Sequence, residues 1–400
     1  MTPNHSVDRR KNVVNLPGQK PQLLSPLVIY ALNGLEKCWM AGHGRWSHIY
    51  HLDGRTRPNE SVPHSDAFYT LNVLLGMSRL PERPAGIAVA AIYEQNAVDL
   101  LRLPAAKYAY GMALWSAAEL GLDVPKAVAQ RVESLLSNTD NWHGFRAQDL
   151  GMLLAGVIAQ AQAGDRRWAP FIDALFAFLR ERYHAPSGLF FDQSHGFRRR
   201  FASFATQTYL TLACYLYGEF TGKPDAIAIA DCSTRKLIAL QGPQGEWPWF
   251  FDALRGTVLD YYEVYSVHQY GMAPAFLEHA ERHGVGEARE ALIRGFEWVL
   301  GENQLRRPML VPDLQLSIRS QVRKRELRTA NLRMLRALAN AHLHRPAGLI
   351  DPTGLDVRLE CRSYELGWIL WSFGRRTDLE QLTHDPAFAA PAGEELRRAP

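Results

Sequence analysis

Apolar residues recur along most of this chain at the three-to-four-residue spacing of one helix face. The first such run opens at Ser25-Pro26, where the proline suits a first helical position and the serine suits the cap. Leu27, Tyr30, Ala31, Leu35 and Cys38 follow at that spacing, and Gly42 ends the run. The same pattern predicts helices over 66–78, 85–101, 105–120, 124–136, 146–163, 168–183, 201–220, 225–240, 264–283, 287–300, 329–342 and 362–373, giving about a dozen helices and very little strand. Residues 1–22 carry Pro3, Pro17, Gly18 and Pro21 in a polar setting, so they are expected to form a flexible arm. Residues 381–400 read as a polar tail, which leaves 23–380 as a single domain.

The connections between helix pairs repeat. Gly42-His43-Gly44-Arg45-Trp46, Trp142-His143-Gly144-Phe145, Gly188-Leu189-Phe190-Phe191-Asp192 and Gly245-Glu246-Trp247-Pro248-Trp249 all combine glycine with an aromatic residue. Weaker echoes are Gly301-Glu302-Asn303 and Gly348-Leu349-Ile350-Asp351. After the second loop the echoes lie roughly 45 to 55 residues apart, a period that belongs to stacked helix pairs. Six such pairs can close into a ring; an irregular helical bundle without closure fits the same pattern.

This arrangement resembles the α/α toroids: the six-hairpin glycosidases and, more distantly, the prenyltransferase and squalene-cyclase repeat proteins. Gln241-Gly242-Pro243-Gln244-Gly245-Glu246-Trp247 is similar to the Gln…Gly-x-Trp repeat of the cyclases. The resemblance implies an all-α, (α/α)6 toroid with a central cleft. It does not fix the function.

Composition narrows the classes. A chain that is 47% hydrophobic and 22% charged is globular rather than disordered. A net charge of +4 is too small to argue for nucleic acid. No stretch approaches the roughly 18 unbroken apolar residues of a membrane span. Met1–Lys20 contains no apolar signal core, and Cys38, Cys214, Cys232 and Cys361 form no C-x-x-C pair. A cytoplasmic protein without disulfides is therefore expected. No phosphate-binding glycine loop, H-E-x-x-H or G-x-S-x-G occurs. The histidines pair with no cysteine at a metal-ligand spacing, so neither metal nor cofactor is expected. The Asp-rich acid motif of squalene-type cyclases is absent too.

The densest chemistry lies in 245–274. Trp247, Trp249, Tyr261 and Tyr265 stand among Glu246, Asp252, Asp260, His268 and Gln269. Aromatic faces beside carboxylates are what a sugar site needs: the rings stack on the apolar side of a pyranose, and the acids move protons. Aromatics filling an inner wall, with carboxylates capping helices, fit the same residues. If the segment is helical, Tyr261, Tyr265, His268 and Met272 share one face, although Pro274 interrupts it. A second candidate pair is His64 and Asp66 at a helix start, where capping by Ser65 or Asp66 accounts for the pattern equally well. A third is Arg362 with Glu365, three residues apart. The basic run 319–336 could hold an anion or form a solvated face.

The function expected from these residues is a carbohydrate-active enzyme on an oligosaccharide or polysaccharide. Hydrolysis would use an acid and a base among Glu246, Asp252, Asp260 and Asp66, about 6.5–9.5 Å apart for inversion. Elimination or epimerisation at a uronic acid would use Tyr265 and His268, with Arg362 neutralising the carboxylate. A non-catalytic glycan-binding or scaffold toroid, and an isoprenoid-handling cyclase-like toroid, are the alternatives.

Overall fold

A computed structural model describes residues 24–84, 86–196, 198–326, 330–343 and 351–389. The expected arm, 1–22, lies outside them, as does the end of the expected tail, 390–400. The helices are α1 (Pro26–Cys38), α2 (Pro63–Met77), α3 (Val89–Asp99), α4 (Lys107–Leu120), α5 (Lys126–Ser137), α6 (Ala147–Gln162), α7 (Ala169–Arg182), α8 (Phe204–Thr221), α9 (Pro224–Leu240), α10 (Ala273–Arg282), α11 (Ala288–Leu300), α12 (Ala330–Leu343) and α13 (Ser363–Phe373). Each predicted helix has a counterpart with ends moved by a few residues, except that the one expected over 264–283 begins only at Ala273.

The ring closes. α2, α4, α6, α8, α10 and α13 pack in that order, and α13 returns to α2. The remaining long helices, α3, α5, α7, α9, α11 and α1, form an outer layer. Inner helices are apolar nearly all round because they touch neighbours on both sides and the second layer behind. Outer helices such as α5, α10's partner α11 and α9 keep polar residues on the solvent side. Where inner helices touch, glycine lets their backbones approach. A Cβ on Gly76 would lie 2.2 Å from the Gly367 carbonyl oxygen, at the seam between α2 and α13. A Cβ on Gly156 would lie 2.5 Å from the Gly111 carbonyl oxygen, between α6 and α4. Both are shorter than any normal Cβ contact, so larger side chains would wedge the ring apart.

One end of the axis is plugged. Trp115 of α4 packs edge-on against Trp371 of α13 at 5.0 Å, and the Arg79 guanidinium lies 3.7 Å over the Trp371 ring. α4 and α13 are not neighbours in the ring, so their tryptophans meet across the axis. The mouth is at the other end, where all six inner helices begin.

The connections leading into those N-termini hold short strands, none longer than four residues among the described residues. Three three-stranded sheets gather there: 201–203 with 250–252 and 257–260; 264–265 with 320–323 and 355–358; 49–51 with 59–60 and 360–361. Two-to-four-residue strands carry no detectable alternation, which is why the sequence pattern predicts almost none. α12 is an addition to the six hairpins. It lays Ala337 and Ala341 on Phe201, Trp249, Phe250 and Leu259, beside the mouth.

Three local expectations change. α2 starts at Pro63, so Asp66 lies inside its first turn and neither it nor Ser65 is the cap. The 264–283 helix begins late: Val264–Tyr265 is strand, His268–Met272 is a π-helical turn, and Pro274 then sits in the first turn of α10. Tyr261 and Tyr265 therefore share no helix face with His268. In the expected tail, Leu382 and Phe388 are buried, and Phe388 packs edge-on against Tyr30 at 5.4 Å.

Candidate functional site

Side chains from inner helices converge at the mouth. Tyr69 of α2 and Tyr364 of α13 lie 4.5 Å apart, centroid to centroid. Tyr209 of α8 reaches Trp368 of α13 at 6.1 Å across the axis. Tyr108 of α4 packs on Phe68 at 4.7 Å. His48, in the connection before α2, stacks on Tyr69 at 4.8 Å with 16° between the rings.

On the far side of Tyr364, Tyr265 and His268 stand 5.0 Å apart ahead of α10, with Phe204 packed 4.7 Å from the imidazole. Arg319 completes this wall: its guanidinium lies 4.8 Å over the Tyr265 ring. Backbone bonds fix it there. The Arg319 N–H donates to the Glu360 carbonyl at 2.8 Å, and its own carbonyl accepts from the Ser266 N–H at 2.9 Å. One residue thereby ties two of the mouth sheets together and aims a cation into the cleft. Arg362 stands beside it and donates to Glu360 at 2.7 Å and 3.1 Å.

The electrostatics are consistent across the cleft. Burial, aided by the Arg319 charge, pulls the His268 imidazole down to about 3. Burial, then Arg362 and Arg319, pull His48 down to about 3 as well. Both rings are therefore neutral bases at neutral pH. Burial raises the phenols of Tyr69 and Tyr364, and takes Tyr108 to about 12, so they keep their protons. Burial works against the Arg319 charge, yet Tyr265, Tyr364, Tyr69 and Glu360 around it hold its pKa above the ordinary arginine value. Six helix N-termini point their positive ends the same way. The mouth thus gathers aromatic rings, neutral imidazoles and phenols, and two arginines that share the Glu360 carboxylate.

These two histidines have a consequence for stability. Between pH 6.5 and about 3 the unfolded chain protonates both imidazoles while the folded chain does not. Stability is unaffected by them above 6.5 and is lost as pH falls through that window. His48→Gln is expected to flatten the slope of unfolding free energy against pH there. Urea titrations at a series of pH values measure it, and an unchanged slope would show that His48 titrates normally.

The structure separates the residues singled out in the sequence. Tyr265 and His268 are at the mouth, and Arg362 is close by, but Arg362 pairs with Glu360 instead of Glu365. Glu365 is buried on the side of α13 facing Tyr270, whose hydroxyl donates to it at 3.0 Å; burial pushes it up to about 7. Asp252 is taken up by Arg200 and by the backbone N–H groups of Leu254 and Arg255. Asp260 accepts from Arg323 at 2.6 Å and 3.1 Å and from the Tyr262 N–H at 3.1 Å. Glu246 is buried in its own loop and accepts from the Gln244 N–H at 3.0 Å. Gln269 spans Trp247 N–H and the Tyr265 carbonyl, a scaffolding role. Trp247 is buried between Phe204 and Phe276, and Trp249 lies under α12 with Phe250. Tyr261 is half-buried, His64 is exposed, and Asp66 is buried, accepting from the Ser61 hydroxyl. Asp252 and Asp260 thus hold arginines in place, because burial without a partner would cost several kcal/mol, whereas Asp66 and Glu246 each keep one buried oxygen without a hydrogen-bond partner.

Sequence reasoning missed His48, Tyr69, Tyr364 and the individual role of Arg319. Arg319 was visible only as the first residue of the basic run; in the structure Arg323 and Arg336 of that run are spent on Asp260 and Glu326. Arg328 and the Arg333 side chain lie outside the described residues.

Comparison with solved structures gives matches over most of the chain. The GH76 α-1,6-mannanase of Salegentibacter sp. HEL1_6, in complex with α-1,6-mannotriose, aligns with a TM-score of 0.53 at 12% identity, covering 87% of this chain and 98% of that one. Unsaturated glucuronyl hydrolase of Bacillus sp. GL1, described as responsible for glycosaminoglycan degradation, gives 0.54 at 12%, covering 90% and 96%. A polysaccharide lyase gives 0.54 at 10%, covering 88% and 96%. No protein-family model matches the sequence, and neither does any curated protein. The chain has the six-hairpin, glycosidase-like α/α toroid fold. No helix among the described residues is long and apolar enough to cross a membrane.

Proposed function

We propose that this protein is a carbohydrate-active enzyme that cleaves an acidic oligosaccharide or polysaccharide by elimination at a uronic acid residue. The observation that carries this reading is the contact set of Tyr265, His268 and Arg319 at the open end of the toroid. Three groups are what the reaction needs: a base for the C5 proton, an acid for the leaving oxygen and a cation on the carboxylate.

The step balances as follows. Arg319 holds the uronate carboxylate and stabilises the negative charge that builds there when C5 loses its proton. The neutral His268 imidazole takes that proton. The electron pair becomes the C4=C5 bond as the C4–O4 bond breaks, and the Tyr265 phenol gives its proton to O4. Solvent then takes the proton from the imidazole and returns one to the phenolate. Glu263 accepts from the Tyr265 hydroxyl at 3.3 Å and orients it before substrate arrives. The half-buried Tyr69 and Tyr364 are the rings on which neighbouring sugars would stack.

Hydrolysis would need two free carboxyl groups flanking the bond. Of the four carboxylates expected for hydrolysis, Asp252 and Asp260 are bound to arginine while Asp66 and Glu246 are not, so the preference for elimination rests on the contact set of Tyr265, His268 and Arg319. The test is incubation with D-glucuronate-, L-iduronate-, D-mannuronate- and L-guluronate-containing polymers, read by the ultraviolet absorbance of the conjugated unsaturated product and by mass spectrometry. A product mass lacking one water relative to hydrolysis is expected. New reducing ends without unsaturation would establish hydrolysis and overturn elimination.

A further inference from the structure

A basic surface lies outside the cleft, where the outer helices α7 and α9 meet the edge of the sheet formed by 201–203, 250–252 and 257–260. Arg182 ends α7, Arg198 and Arg199 lead into the first strand of that sheet, and Arg255 stands in the turn between its other two strands. α9 adds Arg235 and Lys236. Direct contacts make these segments one surface. The Arg199 guanidinium donates to the Arg182 carbonyl at 3.3 Å. The Ala253 N–H donates to the Arg200 carbonyl at 2.8 Å, which joins the 253–256 turn to the arginine run. Gly256 sits against Lys236, where a Cβ would lie 2.6 Å from the lysine Cε and 3.0 Å from its Nζ.

Three of these cations are not spent on carboxylates. Arg200, next in the run, is bound to Asp252, and Arg235 lies 4.0 Å from Asp231, but Arg182, Arg199 and Lys236 form no ion pair among the described residues. Arg199 is held in place by other means: its guanidinium lies 4.0 Å over the Phe191 ring, and its Nε is buried without a hydrogen-bond partner. Of the acids on the same segments, Asp192 accepts from the Thr206 hydroxyl at 2.6 Å and Asp231 from the Tyr215 hydroxyl at 2.9 Å, while Glu181 is exposed. Like charges gathered on one face repel one another, and a bound polyanion relieves that repulsion. Cations at the C-terminal carbonyls of α7 also suit the helix dipole, a role that needs no ligand.

Resting on the reading of an acidic polymer as substrate, we propose that this surface is a second, non-catalytic binding site for that uronate polysaccharide, holding the chain outside the cleft while the cleft acts on one of its residues. Charge supplies the contact: the carboxylates along the polymer meet guanidinium and ammonium groups spread over three segments. Nucleic acid fits less well. Tyr183, Phe190 and Phe191 are buried, so the aromatic residues beside these cations present no face for base stacking.

The test uses the full chain in affinity electrophoresis, with gels containing polymers of D-glucuronate, L-iduronate, D-mannuronate or L-guluronate. The wild type is compared with Arg182→Glu/Lys236→Glu and, should that variant melt early, with Arg182→Gln/Lys236→Gln. At least one polymer is expected to retard the wild type. Its dissociation constant should rise about tenfold in the double variants, the size of two lost exposed ion pairs, and the difference should shrink as salt is added. Turnover of a trisaccharide that fills only the cleft should be unchanged. Polymer binding unchanged in the variants, or a lowered melting temperature as their sole effect, would overturn this inference and leave the cations as helix caps. Single-stranded DNA of equal charge bound more tightly than every uronate polymer would overturn it in favour of nucleic acid. The elimination reading is judged separately, by the unsaturated product. Polymer retardation that the variants lose, without any such product, would overturn elimination and leave this surface standing.

Discussion

Tyr265→Phe is expected to lower kcat on the cleaved uronate polymer by about a thousandfold, within the 10²–10⁴ range of general acid catalysis. The KM is expected to stay within about threefold, because the ring that Arg319 lies over is retained. The substitution removes one hydroxyl from a half-buried side chain whose bond to Glu263 is 3.3 Å long. Such a change moves stability by about 1 kcal/mol or less. Loss of turnover with an unchanged melting curve thus separates a chemical role from a structural one. A Tyr265→Phe enzyme with full kcat would remove the phenol from the reaction and leave a different group to protonate O4.

Asp260→Ala is expected to behave in the opposite way. Asp260 is 1% exposed and holds Arg323 through two hydrogen bonds, with Arg336 3.6 Å away. Removing the carboxylate leaves two guanidinium groups, that of Arg323 buried, with Glu326 as their shared acid among the described residues. Breaking a buried ion pair from one side costs about 3–5 kcal/mol. Urea or guanidinium denaturation measures the loss directly. Any fall in turnover should follow the fraction unfolded. A stable but inactive Asp260→Ala protein would instead return Asp260 to the catalytic candidates, as the aromatic and acidic density of 245–274 implied.

That density is divided in the structure for a physical reason. A segment that crosses the mouth of a toroid must bury much of its own length, and it does so with aromatics. Its carboxylates then need partners, and those come from 200, 323 and 336, positions far away in the chain. Proximity in sequence placed Asp252, Asp260 and Glu246 together with His268, whereas burial and arginine pairing divide them. Tyr265 and His268 stand together at the candidate site because one ends a strand and the other opens a π-helical turn.

His48, Tyr69, Arg319 and Tyr364 carry no mark in the sequence that distinguishes them from ordinary core or surface residues. Tyr69 and Tyr364 look like apolar positions of two inner helices, and they meet only because α13 closes on α2. His48 sits two residues beyond a Gly-aromatic loop and reads as part of a connection. Arg319 opens a basic run of which two other members, Arg323 and Arg336, neutralise buried acids.

The sequence alone determined the number of helices, their approximate limits and the repeat of paired helices, because each helix's apolar period and each breaking glycine are local properties written every few residues, whereas the same pattern left ring closure open. The tertiary structure alone decided which end of the ring is open, which carboxylates are spent on arginine, and which side chains share the cleft. Those facts depend on contacts between positions up to hundreds of residues apart, and ring closure between the first and last inner helices creates the site that neither half of the chain contains.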